Sequence, residues 1–199
     1  MNNLIQTYNS KKESLKKHMG NFKNLSEENQ FKEFMFCLLT PQSNAQKCWQ
    51  AIEQISQLQK IDEELVYNIL KTKTRFHKTK TKRILIAPKT WNEIKPFLNN
   101  SNIIELRNYL VKTVNGYGLK EASHFLRNIG KSNNQIAILD RHILKNLYKY
   151  NLIKEQKIKS PKHYFQIEKS FLNFASTINI PADELDLIWW SNENGELFK

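Results

Sequence analysis

Two glycines and a lysine in one short string are the first candidates for chemistry. The chain has only five glycines, and Gly116 and Gly118 both stand in Val114-Asn-Gly-Tyr-Gly-Leu-Lys-Glu-Ala122. Because glycine permits positive φ and a tight turn, the string predicts a hairpin between two helices. The second helix is expected to begin near Leu119, where its free backbone N–H groups would form a binding site for a phosphate.

The basic segment Lys71–Arg83 is a second candidate, with seven Lys or Arg residues and no acid. Within it, Lys78, Lys80 and Lys82 are expected to face phosphates, and Phe76 offers a ring for base stacking. The alternative interpretation is a solvated helix approach without a partner. Charge alone leaves both interpretations open.

The cysteines exclude several kinds of site. Only Cys37 and Cys48 are present, which is too few for a disulfide framework or for a four-cysteine zinc or iron–sulfur site. Both stand in apolar helical surroundings, so we expect buried thiols in a reducing cytoplasm. We expect no metal or redox cofactor.

Helices must position these residues, because apolar residues recur with a period of 3.6 and strand signals are poor. Ser26 is a predicted N-cap, and Thr40-Pro41 is expected to end the helix that follows. Pro88, Pro161 and Pro181 are assigned to first turns. The first of these predicted helices follows Ser26 and ends at about residue 39, and the others cover about 44–55, 62–70, 78–86, 88–98, 101–113, 119–129, 141–150, 161–177 and 182–190. The sequence therefore predicts an all-α fold with short connections.

Length and charge narrow the function classes. The chain has 199 residues, 40% of them hydrophobic, which suits one compact domain or two small lobes. A net charge of +12 favours a polyanionic partner, either nucleic acid or an anionic membrane surface; a Lys- and Asn-rich composition caused by an AT-rich genome is the alternative. We expect no transmembrane helix and no secretory signal.

The last 19 residues have the opposite charge, with Lys199 as their single cation. Their acids are Asp183, Glu184, Asp186, Glu193 and Glu196. Since an acidic tail is repelled by phosphates, we expect it to pack on the protein or to meet a neutral ligand.

The hairpin string resembles the helix-hairpin-helix of the HhH-GPD DNA glycosylase superfamily. In that pattern an apolar stretch ending in Asp follows the lysine by about twenty residues, and this chain has Ile136-Ala-Ile-Leu-Asp140 there. The string Leu38-Leu-Thr-Pro-Gln42-Ser-Asn44 is similar to the segment of these enzymes that feeds a loop into the duplex. The segment Trp190–Lys199 resembles the tail of the type 2 (archaeal-type) 8-oxoguanine DNA glycosylase/lyases.

The resemblance implies that Lys120 and Asp140 are catalytic. A neutral Lys120 amine would attack C1′ of the deoxyribose and form a Schiff base, after which β-elimination breaks the strand. The Asp140 carboxylate would stabilise positive charge that develops on the sugar. Asp140 also precedes a predicted helix at Arg141 and suits an N-cap; both roles can hold together.

The resemblance also implies a pocket for the damaged base. Phe76 and Trp190 are expected to stack on its two faces, and Lys199 is expected to read it through the terminal carboxylate. Trp189 is expected in the core, because consecutive helical positions point about 100° apart.

Further residues are expected on the DNA. Gln42 is assigned to the hole left by an extruded base, with a loop-capping amide as the alternative, and Asn44 lies on the same segment. Gly116 and Gly118 are expected at the phosphate backbone. His142 is assigned to the backbone near the lesion, with a structural histidine as the alternative.

These expectations combine into one hypothesis. The fold is all-α and two-lobed, with residues about 25–130 in one lobe, residues 1–24 and 135–199 in the other, and the active site in the cleft between them. The protein is expected to excise 8-oxoguanine from double-stranded DNA and to nick the strand, as a nucleoid-associated cytoplasmic monomer. The alternatives are excision of another oxidised base and a non-catalytic helix-hairpin-helix DNA-binding module.

Overall fold

Ten α-helices and one 3₁₀ turn account for the regular structure in a computed structural model that describes residues 2–195 and 197–199. They are α1 (Asn2–Gly20), α2 (Glu27–Leu39), α3 (Ala45–Ser56), α4 (Glu63–Lys73), α5 (His77–Ile94), the 3₁₀ turn Lys95–Asn99, α6 (Ile103–Thr113), α7 (Leu119–Asn128), α8 (Arg141–Lys149), α9 (Pro161–Thr177) and α10 (Ala182–Asn194). The described residues contain no strand, and the all-α prediction is confirmed. Glu196 of the acidic tail lies outside them.

The chain forms two compact units, residues 25–125 and residues 1–24 with 126–199. In the first unit, α2 is the central helix, with every residue from Glu33 to Leu39 buried. Its run Phe34-Met-Phe-Cys-Leu-Leu39 is apolar all round, as a helix surrounded by other helices requires. Cys37 and Cys48 are both buried free thiols, as predicted.

The second unit has an aromatic core around Trp189, which is 1% exposed as predicted. Phe171 and Phe174 of α9 and Tyr150 contact its ring. No helix among the described residues has the length and hydropathy needed to cross a bilayer.

The structure confirms several predicted helix ends, and the one predicted at Pro88 is wrong. The Ser26 side chain accepts a hydrogen bond from the Asn29 N–H, and Pro161 stands in the first turn of α9. Pro88, however, lies inside the continuous helix α5, where two helices were predicted. A proline within a helix costs about 3 kcal/mol, and burial of Ile84 and Trp91 on the same helix offsets that cost.

Candidate active site and DNA-contact residues

A tight turn, residues 114–118, joins α6 to α7. The buried Tyr117 hydroxyl donates a 2.8 Å hydrogen bond to the Phe34 carbonyl and so fixes the turn to α2. Gly116 has φ +106°, and a Cβ at that position would lie 2.6 Å from Arg83 Nε. The positive φ strains any residue other than glycine, and a Cβ there would also force the Arg83 guanidinium to move.

Gly118 serves a different purpose from the one predicted, because its φ is not positive. Its N–H donates to Glu121 Oε2 at 3.1 Å, and a Cβ there would stand 3.2 Å from that oxygen. Glu121 therefore forms the glutamate half of a capping box at the start of α7. Sequence reasoning missed Glu121, although Gly118-x-x-Glu121 before an apolar helix was a usable signal.

Lys120 is the second residue of α7, and its ammonium is paired with Glu121. The distance from Lys120 Nζ to Glu121 Oε1 is 3.4 Å, and the two side chains are 23% and 15% exposed. One carboxylate thus caps the helix and holds the amine. The amine must lose its proton before it can act as a nucleophile, and Glu121 is the carboxylate in contact with it.

Asp140 is the N-cap of α8, so its predicted capping role is confirmed. Its Oδ1 accepts hydrogen bonds from the N–H groups of His142 at 2.8 Å and Ile143 at 2.9 Å. In the segment before Asp140, Ala137 is held by α9: its N–H donates to Glu168 Oε1, and its carbonyl accepts from the Tyr164 hydroxyl. Within the described part of the chain, Asp140 Oδ2 has no hydrogen-bond partner, which leaves it available to a ligand.

The loop between α2 and α3 presents Gln42 to solvent. Gln42 is exposed and has φ +53°, a left-handed conformation that is unusual for a residue with a side chain. Asn44 is the N-cap of α3 and accepts a 2.9 Å hydrogen bond from the Lys47 N–H through Oδ1. Its Oδ1 therefore has a structural use, and only the amide NH₂ remains for DNA.

Phe76 stands at the start of α5 with φ +56° and a 54% exposed side chain. The Arg75 guanidinium lies 5.5 Å from its ring centroid. An exposed aromatic ring on a strained backbone position is typical of a residue that meets a ligand.

The basic segment requires one correction. Lys78 and Lys82 are exposed, but Lys80 is 1% exposed and its ammonium donates to the carbonyls of Leu39 and Pro41. The prediction that Lys80 faces phosphate is therefore wrong. Side chains two positions apart on a helix point about 200° apart. Lys80 therefore faces away from Lys78 and Lys82 and falls on the buried face with Ile84 and Ala87.

Removing the charges of Lys78 and Lys82 together is expected to weaken binding equally for damaged and undamaged duplexes. Each lysine that neutralises a phosphate releases a counterion, so the log–log salt dependence should become shallower by about one to two units in Lys78→Gln/Lys82→Gln. Binding titrations at several salt concentrations measure this slope. Lys89→Gln on the same helix is the matched control, and an unchanged slope in the double variant would place the segment away from DNA.

The C-terminal residues pack against α1 and α10. Trp190 and Phe198 stack with their ring centroids 5.7 Å apart, and His18 Nε2 donates a 3.0 Å hydrogen bond to the Phe198 carbonyl. Burial lowers the pKa of His18, an effect that this hydrogen bond opposes. The residue before Lys199 is thus held at both its ring and its carbonyl, and His18 is a contact that sequence reasoning missed.

His142 lies in a polar cluster on α8 and α10. Its Nε2 accepts from Arg141 Nε at 3.2 Å, and its Nδ1 is 4.0 Å from Glu193 Oε2. Lys145 binds both oxygens of Glu193 at 2.8 Å, and this bond lowers the pKa of Glu193. His142 therefore already has intramolecular partners.

The predicted residues divide between the two units. Residues 25–125 contain Gln42, Asn44, Phe76, Lys78, Lys80, Lys82, Gly116, Gly118 and Lys120, and the other unit contains Asp140, His142, Trp190 and Lys199. Each unit thus supplies one residue of the predicted catalytic pair.

Comparisons with known proteins agree on one family. The sequence model of the 8-oxoguanine DNA glycosylase family (Ogg-HhH) matches residues 12–180. An 8-oxoguanine DNA glycosylase/AP lyase of Fusobacterium nucleatum is 37% identical, and the match covers 100% of this chain and 97% of that protein.

Two solved structures are similar over nearly the whole chain. The 8-oxoguanine DNA glycosylase of Thermotoga maritima superposes with a TM-score of 0.89 at 28% identity and covers 100% of this chain and 97% of its own. The Methanocaldococcus jannaschii 8-oxoguanine glycosylase/lyase in complex with a 15mer DNA containing 8-oxoguanine has a TM-score of 0.87 at 32% identity and covers 98% and 99%. The resemblance carried by the hairpin, Asp140 and the tail is confirmed: the chain belongs to the 8-oxoguanine DNA glycosylase family of helix-hairpin-helix enzymes.

Proposed function

We propose that this protein excises 8-oxoguanine from duplex DNA and then cleaves the strand at the resulting abasic site. The observation that carries the proposal is Lys120, a lysine paired with Glu121 at the start of α7, in a chain whose relatives are named 8-oxoguanine DNA glycosylase/AP lyase. The reacting sugar carbon is inaccessible in a stacked duplex, so the target nucleotide must be extruded first.

The chemistry begins when Lys120 passes a proton to a base, for which Glu121 at 3.4 Å is the neighbouring candidate. The neutral amine attacks C1′, the C1′–N9 bond breaks, and the leaving base takes up a proton. Ring opening converts the aminal at C1′ to a Schiff base between Lys120 and the sugar. Loss of a C2′ proton then expels the 3′ phosphate by β-elimination, and water hydrolyses the Schiff base.

Asp140 supports the bond-breaking step through its charge. Positive character develops on the sugar as the glycosidic bond lengthens, and a fixed carboxylate stabilises it. Because Oδ1 is held by two N–H groups of α8, the carboxylate is oriented before the substrate arrives. This preorganisation supports the catalytic role without conflict with the cap.

We assign base recognition to Phe76, Trp190 and Lys199. The exposure of the Phe76 ring supports stacking on the extruded base. The contact with Phe198 fixes the orientation of the Trp190 ring before the base arrives. The terminal carboxylate of Lys199 would accept a hydrogen bond from N7–H, a donor that 8-oxoguanine has and guanine lacks.

We assign DNA contacts to both units. Gln42 would fill the space left by the extruded base, and its exposed position on a left-handed turn supports this role. Lys78 and Lys82 would neutralise phosphates. The turn that contains Gly116 and Gly118 would bring backbone N–H groups to the phosphate backbone, except that of Gly118, which already donates to Glu121. The NH₂ of Asn44 and the imidazole of His142 are the remaining proposed contacts.

The activity is tested by single-turnover excision on matched duplexes that carry 8-oxoguanine, guanine or an oxidised pyrimidine at the same position. We expect release of 8-oxoguanine and cleavage of that strand. Equal activity on the oxidised pyrimidine would assign a different base to the pocket, and binding without any cleavage would indicate a DNA-binding module.

We propose that the enzyme acts on chromosomal DNA in the nucleoid.

Changes to the C-terminus should separate excision from strand cleavage. Deleting Phe198 and Lys199 moves the terminal carboxylate back to Leu197 and removes the ring that stacks on Trp190, so excision of 8-oxoguanine should fall by about tenfold or more. Cleavage of a pre-formed abasic site should be largely retained, because Lys120 and Asp140 remain. Adding Gly-Ser after Lys199 should act like the deletion, whereas Lys199→Ala keeps the carboxylate and isolates the side chain. Equal loss on both substrates would assign the tail to fold stability.

A further inference from the structure

Lys80 is a buried lysine whose ammonium is held entirely by the chain itself. Its Nζ donates to the Leu39 carbonyl at 2.7 Å, the Pro41 carbonyl at 2.8 Å and Ser43 Oγ at 2.8 Å. An ammonium has three N–H donors, so these three acceptors satisfy it completely.

Burial of this ammonium is energetically unfavourable for the folded state. Moving an ammonium out of water is costly, and here all three acceptors are neutral oxygens rather than a carboxylate. Burial lowers the pKa of Lys80 to about 8, with the nearby cations Arg83, Lys120 and Arg75 acting in the same direction and the Cys48 thiol opposing them. The charged form therefore opposes folding at neutral pH, and the hydrogen bonds to the three acceptors offset part of that cost. A role other than stability is indicated.

The three acceptors bracket Gln42. Leu39 ends α2, Pro41 immediately precedes Gln42, and Ser43 immediately follows it. A left-handed non-glycine residue costs about 1–2 kcal/mol and persists only where its surroundings fix it. The ammonium of Lys80 provides such fixation from both sides of the exposed Gln42.

The same network reaches Phe76. Ser43 Oγ also accepts a 2.9 Å hydrogen bond from the Arg75 N–H, one residue before Phe76. The backbone N–H of Lys80 donates to the Phe76 carbonyl at 3.0 Å. The backbone bond is the first i to i−4 bond of α5, whereas the Lys80 side chain links the flanks of Gln42 to Arg75 through Ser43. Gln42 and Phe76 are 34 positions apart in the sequence.

We propose that Lys80 is a positioning residue that fixes the loop of Gln42 against the turn of Phe76, so that filling the hole in the duplex and stacking on the extruded base occur together. The ammonium is suited to this task because three fixed donors specify the directions of three acceptors, whereas apolar packing tolerates sliding. This inference rests on the proposed function for the roles of Gln42 and Phe76, but the fixation itself concerns residues 39–80 alone.

Lys80→Met tests the proposal with a side chain of similar length and no charge. The variant should unfold at a temperature close to that of the wild type, because removal of the buried charge is opposed by the loss of the donor to the Pro41 carbonyl. Excision of 8-oxoguanine in single turnovers should fall by about tenfold, the loss expected for hydrogen bonds from a charged group. Cleavage of a pre-formed abasic site, which needs neither base stacking nor extrusion of a paired base, should fall much less. Lys89→Met on the same helix is the matched control and should match the wild type on both substrates.

Two further measurements keep the proposal testable if Lys80→Met misfolds. Ser43→Ala removes one acceptor and leaves the ammonium with two carbonyls, and it should give a smaller loss of the same kind. In a Gln42→Ala background, Ser43→Ala should cause little additional loss of excision, because the Gln42 side chain that Ser43 helps to position is already absent.

Amide hydrogen exchange separates this inference from the proposed function. Exchange at Ser43 and Arg75 should be about tenfold faster in Lys80→Met or Ser43→Ala, because the network that holds these N–H groups is weakened. Unchanged exchange and unchanged excision in a folded variant would overturn the positioning role, and so would equal losses on the 8-oxoguanine and abasic substrates. If the wild type does not excise 8-oxoguanine, the proposed function fails, while the exchange result still decides the fixation.

Discussion

Lys120→Gln is expected to abolish strand cleavage and covalent trapping by borohydride. Glutamine keeps the length and polarity of the side chain but has no nucleophilic amine, so no Schiff base can form. The rate of excision should fall by about 10³-fold or more, as is usual when a covalent nucleophile is removed. The ion pair with Glu121 is also lost, but this pair is partly exposed and contributes little to stability.

Duplex binding provides the control for Lys120. Affinity should stay within about threefold of the wild type, because one lysine contributes little to a surface with many phosphate contacts. Lys60→Gln makes the same chemical change at an exposed loop position and should leave trapping intact. A trapped adduct that forms in Lys120→Gln at the wild-type rate would show that another amine is the nucleophile.

Asp140→Asn is expected to lower the excision rate by about 10²–10³-fold, the usual effect of removing a group that stabilises transition-state charge. Asparagine is also a good N-cap. Its Oδ1 can still accept from the His142 and Ile143 N–H groups, so unfolding free energy should fall by no more than about 1 kcal/mol. Single-turnover excision and chemical denaturation measure the two effects separately.

The chain contains a matched control for Asp140. Asp62 is the N-cap of α4 and accepts hydrogen bonds from the Glu64 and Leu65 N–H groups through Oδ1, in the same pattern. Asp62→Asn should therefore change stability by a similar amount without any effect on excision. A folded Asp140→Asn variant with normal excision would remove Asp140 from the chemistry and leave only its cap.

Much of the fold could be predicted because its signals are local. The period-3.6 apolar pattern indicated the helices, and the Ser26 cap and the first-turn Pro161 depend on residues within four positions. The continuous α5 was missed because the proline signal at Pro88 is local, whereas the burial of Trp91 that overrides it comes from tertiary packing.

The site residues that escaped prediction depend on contacts distant in sequence. Lys80 stands in an alternating Lys-Thr run with no apolar signal, and its acceptors Leu39 and Ser43 precede it by 41 and 37 residues. His18 contacts Phe198, 180 residues away. Glu121 is the exception, because its capping contact with Gly118 spans three residues and could have been identified from the sequence.

Borohydride trapping followed by mass spectrometry tests the central claim most directly. The wild-type protein is incubated with a duplex containing a single 8-oxoguanine, reduced, digested and sequenced to locate the modified amine. The account predicts a covalent adduct on Lys120 that forms on the 8-oxoguanine duplex and not on the matched guanine duplex. An adduct on a different residue, or none on the 8-oxoguanine duplex while the protein binds it, would contradict the account.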